Sequence, residues 1–209
     1  MLRTRCPSCD AELVFASKSF LYSVCKACSN LVLRKDLDVE TVGALGQLHD
    51  DGTPLQLGAR GHFHDERFDV VGRIQLQFSF GFWNEWHLVF PGEKSGWLGE
   101  AQGTYYVSFL TPAGGLLPPY DSLKPDQALR IRGEEFQVKD IEAADCIGGE
   151  GELPFAIEGD YIAPVVDLGT EGRRFATIDY SEEPPLLFVG EIAEFDELRF
   201  ENLRKLEGW

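Results

Sequence analysis

Two Cys-x2-Cys pairs near the N-terminus constrain the fold of this chain more than any other feature. The pairs are CPSC, with Cys6 and Cys9, and CKAC, with Cys25 and Cys28, and fifteen residues lie between them. This spacing is typical of a four-cysteine zinc site, because each pair forms a tight knuckle that holds two thiolates on one side. Four sulfur ligands complete a tetrahedron, so we predict one structural zinc ion per chain and no open position for catalysis.

Residues 1–35 around these cysteines are predicted to form a zinc ribbon. The segments AELVF, SFLYSV and LVL are rich in residues that favour strands. For so small a unit, the metal supplies the folding free energy. The segment carries six basic and two acidic side chains. That balance is compatible with a ribbon that binds nucleic acid, whereas other ribbons dock onto proteins or cap a neighbouring domain.

The remainder of the chain is predicted to be mostly β. Residues 36–54 form a polar connector with one weakly helical stretch, DVETVGALGQL. Residues 55–209 read as short strands separated by turn signals such as PGEKSG, PAGG and GGEG. Helical periodicity is nearly absent there, which is typical of an antiparallel β domain.

Two stretches of the β domain resemble each other. HDERFDVVGRIQLQF aligns with RGEEFQVKDIEAADC, and each precedes a short apolar strand. The similarity predicts two related, small barrel-like units over residues 55–115 and 120–193, although independent β meanders produce the same pattern. Residues 194–206 are predicted to form a C-terminal helix, because their apolar side chains fall on one face and acidic residues begin the segment.

The stretch GFWNEWHLVF is the busiest part of the sequence. With a period of two it predicts a strand in a three-stranded meander, with Trp86 in the core and Glu85 and a half-exposed His87 on the outer face. The alternative is an enzyme in which Glu85, His87 and Glu100 form a general acid/base group. Neither a nucleophile nor an oxyanion hole accompanies them, so no catalytic residue is assigned.

The HFHDE stretch offers a second candidate metal site. His62 and His64 project from the same side of one strand, about 7 Å apart along it. Together with His87 or an acidic side chain they could hold a metal ion for an enzyme. The competing interpretation is a solvated strand end beside a turn.

Composition and charge bear on compartment and partners. The chain has no apolar run long enough to span a membrane and no signal-peptide pattern, which predicts a cytoplasmic protein with reduced cysteines. The net charge is −16. A body this acidic disfavours nucleic acid and anionic lipid and favours basic protein surfaces as partners.

Several segments carry a resemblance to a known family. The CPSC…CKAC ribbon, FDVVGRIQLQF…WNEWHLVF…GWLGEAQGTYYVSF and the later ATIDYSEEPPLLFVGE are similar to the bacterial family called domain of unknown function 4178. The resemblance covers nearly the whole chain. It implies a mostly β bacterial cytoplasmic protein with a ribbon in front, and relatives that accompany envelope-stress proteins of the phage-shock type.

These observations lead us to expect a non-enzymatic protein-interaction or adaptor module with an unidentified protein partner. A link to a membrane-stress system would make its membrane association indirect. The two alternatives are a metal-dependent or acid/base enzyme built on His62, His64, His87, Glu85 and Glu100, and a nucleic-acid-binding zinc ribbon.

Overall fold

The computed structural model describes residues 2–16, 20–35, 38–78, 81–157 and 161–205. Over these ranges the regular secondary structure is strand, apart from three short 3-10 turns at Pro91–Glu93, Tyr120–Ser122 and Phe195–Leu198. None of the described helical segments has the length or apolar character needed to cross a membrane. The mostly β fold predicted from the sequence is confirmed.

The strands follow one another in short succession. The ribbon region contains β1 (Leu2–Arg5), β2 (Glu12–Phe15), β3 (Tyr22–Val24), β4 (Asn30–Lys35) and β5 (Asp38–Ala44). The next five strands are β6 (Arg60–Phe63), β7 (Glu66–Phe78), β8 (Gly81–Val89), β9 (Ser95–Ala101) and β10 (Thr104–Leu110). The last five are β11 (Ala128–Ile131), β12 (Glu134–Leu153), β13 (Ile162–Gly169), β14 (Arg174–Asp179) and β15 (Leu186–Ala193).

Eight antiparallel strands close into one barrel in the order β7, β8, β9, β10, β15, β14, β13 and β12, with β12 returning to β7. Each predicted unit contributes four of these strands, β7–β10 from residues 55–115 and β12–β15 from residues 120–193, so neither unit closes into a barrel of its own. The two halves join through the β10–β15 and β12–β7 pairings. Closure into one barrel leaves these eight strands without free edges, which two half-barrels would have exposed.

Glycine permits the close approach that seals the barrel between β7 and β12. Gly151 pairs with Gly72, and a Cβ added to Gly72 would lie 2.0 Å from the carbonyl oxygen of Glu152. Gly151 itself has a φ of +76°, which favours glycine. The GGEG segment, expected to be a turn, is thus part of a strand where two backbones meet.

Both faces of the barrel wall carry apolar side chains, because polypeptide also covers the outside. One outer cluster includes Phe68, Val70, Trp86 and Leu88 and is covered by Leu55 and the C-terminal segment. A second outer cluster lies over β12–β15. Its buried members are Leu123, Ile131, Phe136, Val138, Val166, Leu168, Ala176, Ile178 and Leu187.

The C-terminal helix predicted over 194–206 is replaced by the 3-10 turn Phe195–Leu198, and residue 206 lies outside the described residues. The turn stops at Arg199, which has a left-handed φ of +45°. Phe195, Phe200 and Leu203 then pack onto the outer cluster individually. Packing of these bulky rings on the barrel thus prevails over the helical spacing of the sequence.

Three strands of the ribbon region extend the barrel sheet, whereas β1 and β2 form a separate two-stranded sheet. β3 pairs with β12 at residues 151–153, and β4 and β5 continue outward from β3. The segment predicted as a connector, 36–54, contains β5, so its weakly helical stretch is a strand instead. Residues beyond β5 cross the outside of the barrel, where Thr53 is buried.

Candidate functional site

The four predicted ligand cysteines are brought together at the tip of the ribbon. Their Sγ atoms all lie within 4.8 Å of one another, and each of the four is a free thiol. Two similar turns position them: Asp10 donates its backbone N–H to the Cys6 carbonyl, and Ser29 donates to the Cys25 carbonyl. The grouping predicted from the two Cys-x2-Cys pairs is confirmed.

The geometry of this cluster fits a tetrahedral thiolate site. The Cys6 and Cys28 sulfurs are 3.7 Å apart, and those of Cys9 and Cys25 are 3.6 Å apart. Four sulfurs about 2.3 Å from a central ion would be separated by about 3.8 Å, since a tetrahedral edge is about 1.6 times its radius. All four positions would be filled by protein, so such a centre holds structure together and offers no place for a substrate.

The ribbon also closes one end of the barrel. Val24 and Leu31 pack in the same buried cluster as Trp97 and Leu153 of the barrel. The Ala16 backbone N–H donates to the Glu152 carboxylate at 2.6 Å. These contacts place the ribbon as a floor beneath one end of the barrel, and the residues that line the cavity above it belong to the barrel and its loops.

The lumen is a cavity of about 540 Å³, within the size range of small-molecule sites. It reaches the β9–β10 and β13–β14 turns, where exposed Gln102 and Gly172 line its mouth. Aromatic rings form much of its wall. They include those of Trp83, Trp97, Tyr106, Phe155, Tyr161 and Phe175.

Two carboxylates from different strands line the lumen. Glu85 of β8 accepts a 2.9 Å hydrogen bond from the Trp83 indole N–H, and Asp167 of β13 accepts one of 2.6 Å from the Thr177 hydroxyl. Burial raises the pKa of Glu85 to about 7, the Trp83 hydrogen bond opposes this, and the charge of Asp167 raises it further. Asp167 is accessible to solvent within the lumen although protein surrounds it, and burial raises its pKa as well.

Further carboxylates line the same cavity. Glu142 and Asp140 project from β12 on the side facing Asp167. The pKa of Glu142 is raised by burial and then by the charges of Asp140 and Asp167. The sequence interpretation missed Asp140, Glu142 and Asp167. Their signal is a charged residue between apolar ones in PVVDLG and KDIEAA, which indicates a polar group facing an enclosed space.

The predicted outer face of β8 is in fact the lumen face. His87 is fully buried, because its ring lies between Phe20 of the ribbon and Trp97 at centroid distances of 4.4 and 5.2 Å. Its ring nitrogens bond to the Glu152 carbonyl and the Ser95 hydroxyl. Burial lowers its pKa to about 4, so the ring is neutral at pH 7. The prediction that His87 is half-exposed is therefore wrong.

Glu100 lies on the opposite face of the sheet from Glu85 and His87. Its carboxylate accepts hydrogen bonds from the Thr53 hydroxyl at 2.7 Å and the Trp86 indole N–H at 2.9 Å. Trp86 is wholly buried, as predicted. The acid/base group proposed from the sequence is thus split between the lumen and a structural network outside it.

That outer network is built on Arg73 of β7. Arg73 is 5% exposed, forms an ion pair with Asp51 and donates to the Asn84 side-chain oxygen at 3.0 Å. Its guanidinium also lies 4.7 Å from the centre of the Trp86 ring. The segment that crosses the outside of the barrel supplies Asp51, and its carboxylate neutralises the charge of the buried Arg73 guanidinium.

His62 and His64 lie on β6 and its turn, outside the barrel. His64 has a left-handed φ of +52° and its Nε2 is 3.4 Å from a Glu191 carboxylate oxygen. Among the described residues, the four cysteines are the group whose ligand atoms come within metal-binding distance. His62, His64 and His87 are not gathered into a site.

Several basic side chains of the ribbon are paired with acidic ones. Arg3 contacts Glu12 at 2.8 Å, and Lys35 contacts Glu40 at 2.6 Å. These exposed pairs reduce the positive charge that the ribbon presents to a phosphate backbone.

Comparison with known proteins finds one family. A family model described as domain of unknown function (DUF4178) matches residues 56–194, which covers the barrel strands. No curated protein and no solved structure matches the chain.

Proposed function

We infer that this chain, which belongs to the DUF4178 family, is a non-catalytic binding protein that takes a small molecule into its barrel lumen. The observation that carries the proposal is the cavity itself, about 540 Å³ lined by aromatic rings and carboxylates. Most apolar surface elsewhere on the barrel wall is covered by the chain's own segments. A cavity kept open inside so well covered a barrel is what a ligand-binding site requires.

Zinc is the metal that best suits the four-cysteine cluster, one ion per chain. Thiolate ligands and tetrahedral geometry favour zinc or iron, and paired knuckles of this spacing are typical of structural zinc. The residues that would hold it are Cys6, Cys9, Cys25 and Cys28. Zinc would keep the ribbon folded and thereby keep the floor of the lumen in place.

The metal assignment is tested by elemental analysis of the native chain and a Cys6→Ser/Cys9→Ser variant. We expect one zinc ion per native chain and none in the variant. Iron in place of zinc, or retention of metal by the variant, would overturn the assignment.

Ligand binding is tested with the neutral fluorescent probe N-phenyl-1-naphthylamine. Gly99 lines the lumen, and a Cβ added there would lie 3.3 Å from a carboxylate oxygen of Glu85, so Gly99→Leu fills space inside the barrel. Gly115→Leu is the matched control, because a Cβ at Gly115 meets nothing within 4 Å. We expect saturable binding that is lost in Gly99→Leu and kept in Gly115→Leu. Binding that survives in Gly99→Leu, or none in the native chain, would refute the proposal.

The protein-interaction role is a second candidate, favoured by the net charge of −16. Such a charge steers association towards basic protein surfaces. We propose that the cytoplasm, where thiols stay reduced, is the compartment. A partner recovered with the native chain, with affinity that falls as salt rises, would support this role. Recovery that is indifferent to salt would contradict it.

A further inference from the structure

The lumen carries more negative than positive charge. The carboxylates of Glu85, Asp140, Glu142, Asp167 and Asp179 line it, and the lining cations are Lys139 and Arg174. Arg174 already contacts Glu134 at 3.3 Å and Glu191 at 3.4 Å. Lys139 donates to the exposed Gln137 side chain at 2.9 Å. Neither cation is paired with the lumen carboxylates.

The lumen carboxylates repel one another. The charge of Asp167 raises the pKa of both Glu85 and Glu142, and the charge of Asp140 raises that of Asp167. The contacts to Trp83 and Thr177 each engage one oxygen of Glu85 and Asp167. A carboxylate has about four acceptor sites, so these two groups retain capacity for further donors. A cation placed between them would relieve the repulsion and use that capacity.

A metal ion is the wrong cation for this arrangement. Within the part of the chain that the structure describes, no group of three carboxylates has ligand atoms close enough to hold one. The walls are aromatic rather than carbonyl-lined: Tyr106 packs edge-on against Phe175 at 5.3 Å, and Trp97 lies 5.8 Å from Phe155. Aromatic faces attract ammonium groups and the apolar bodies that carry them.

We propose that the lumen binds a protonated organic amine, with the ammonium group at Glu85 and Asp167 and an apolar or aromatic body against the rings towards the ribbon. This inference rests on the proposed ligand-binding function. The three N–H donors of a primary ammonium match acceptors on two sides of the lumen. Trp97, Phe155 and Tyr161 would surround the body, since they lie at the ribbon end of the cavity.

The test uses three compounds with one carbon skeleton and different charge: 4-phenylbutylamine, 4-phenylbutanol and 4-phenylbutyrate. Each displaces bound N-phenyl-1-naphthylamine from the native chain at pH 8. We expect the amine to bind at least about tenfold more tightly than the alcohol, equivalent to about 1.4 kcal/mol, and the carboxylate to bind most weakly.

Asp167→Asn is the diagnostic variant, because it removes the charge and keeps the size and the acceptor for Thr177. It should bring the affinity ratio of amine to alcohol close to one. Glu135→Gln is the matched control, since Glu135 is exposed on the same β12 strand that carries Glu142, and it should leave the ratio as in the native chain.

The outcomes separate the two proposals. Equal affinity for amine and alcohol, preference for the carboxylate, or a ratio unchanged by Asp167→Asn would each overturn the amine inference. The amine inference would also be overturned if none of the three compounds displaced the probe from the native chain while Gly99→Leu abolished binding of that probe. In all of these cases lumen binding itself would stand. Probe binding that ignores Gly99→Leu would end both proposals.

Discussion

Replacing Glu85 with Gln should stabilise the ligand-free protein, and the gain should grow as pH rises. Glu85 is held in the lumen wall by Trp83, and its pKa is raised from 4.5 to about 7, chiefly by burial. The folded state therefore binds a proton at pH values where the unfolded chain has released it. Because stability falls wherever the folded state binds more protons, folding free energy is lost as pH rises from 4.5 through 7.

The magnitude follows from the size of the pKa change. A carboxyl pKa that moves from 4.5 to about 7 corresponds to about 3 kcal/mol, since one pKa unit equals about 1.4 kcal/mol. Water in the lumen reaches the side chain and screens part of this cost. We therefore expect a gain of about 1–2 kcal/mol for Glu85→Gln at pH 8.5, where Glu85 is ionised in both states, and close to zero at pH 4.5.

The assay is urea unfolding followed by tryptophan fluorescence at pH 5 and pH 8.5. Protonation of cysteine thiolates affects native and variant chains alike, so the difference between them isolates position 85. Glu135→Gln, which changes an exposed carboxylate, should show no pH-dependent gain. A Glu85→Gln gain that is equal at both pH values, or a loss at pH 8.5, would refute the reasoning about desolvation in the lumen.

Three further predictions address the walls of the barrel. Gly72→Ala should lower stability by about 3 kcal/mol or prevent folding in urea titrations, because its Cβ would lie 2.0 Å from the Glu152 carbonyl oxygen. A mild loss would show that β7 and β12 can separate. The native chain should lose free energy of unfolding as pH falls below 6.5, because the pKa of His87 is about 4 in the folded state and 6.5 in the unfolded state. In His87→Gln this loss should be smaller. Urea unfolding midpoints at pH 7 and pH 4.5 measure the loss, and equal losses in the native chain and the variant would contradict the prediction. Trp86→Phe should cost about 1–3 kcal/mol in thermal unfolding, because Glu100 loses a buried donor. An unchanged unfolding temperature would mean that a water molecule replaces the indole N–H as a donor to Glu100.

The parts of the fold predicted correctly depend on local signals. Cys-x2-Cys spacing fixes which four thiols meet, because a knuckle is a local turn. Turn residues and alternation indicate β structure for the same reason. Burial of Trp86 also follows from alternation along β8.

The incorrect predictions concern which faces of the strands are exposed to solvent. Exposure depends on segments that are distant in sequence and pack over those faces. Alternation correctly placed Glu85 and His87 on one face of β8, but it could not show that this face is a lumen closed by Phe20 of the ribbon. Similarly, Arg73 is buried because Asp51 crosses over it from a segment that precedes the barrel. When both faces of a strand are covered, a period of two shows which residues share a face but not whether that face is exposed to solvent.

The candidate site itself assembles from β8 and from three later strands that follow one another along the chain. Glu85 lies on β8, Asp167 on β13, Thr177 on β14 and Glu142 on β12. No motif links these positions: pairing of β12, β13 and β14 brings three of them together, and closure of the barrel through β7 brings Glu85 to the same cavity. The sequence shows only that each strand carries a charged or polar residue among apolar ones.

The most direct test of the central claim is where a bound probe lies. For a chain of 23.4 kDa, nuclear Overhauser effects between 4-phenylbutylamine and the protein can be recorded in solution. The account predicts contacts from the phenyl ring to Trp97 and from the methylene next to the nitrogen to the Thr177 methyl group. Contacts confined to residues on the outer surface of the barrel would contradict it.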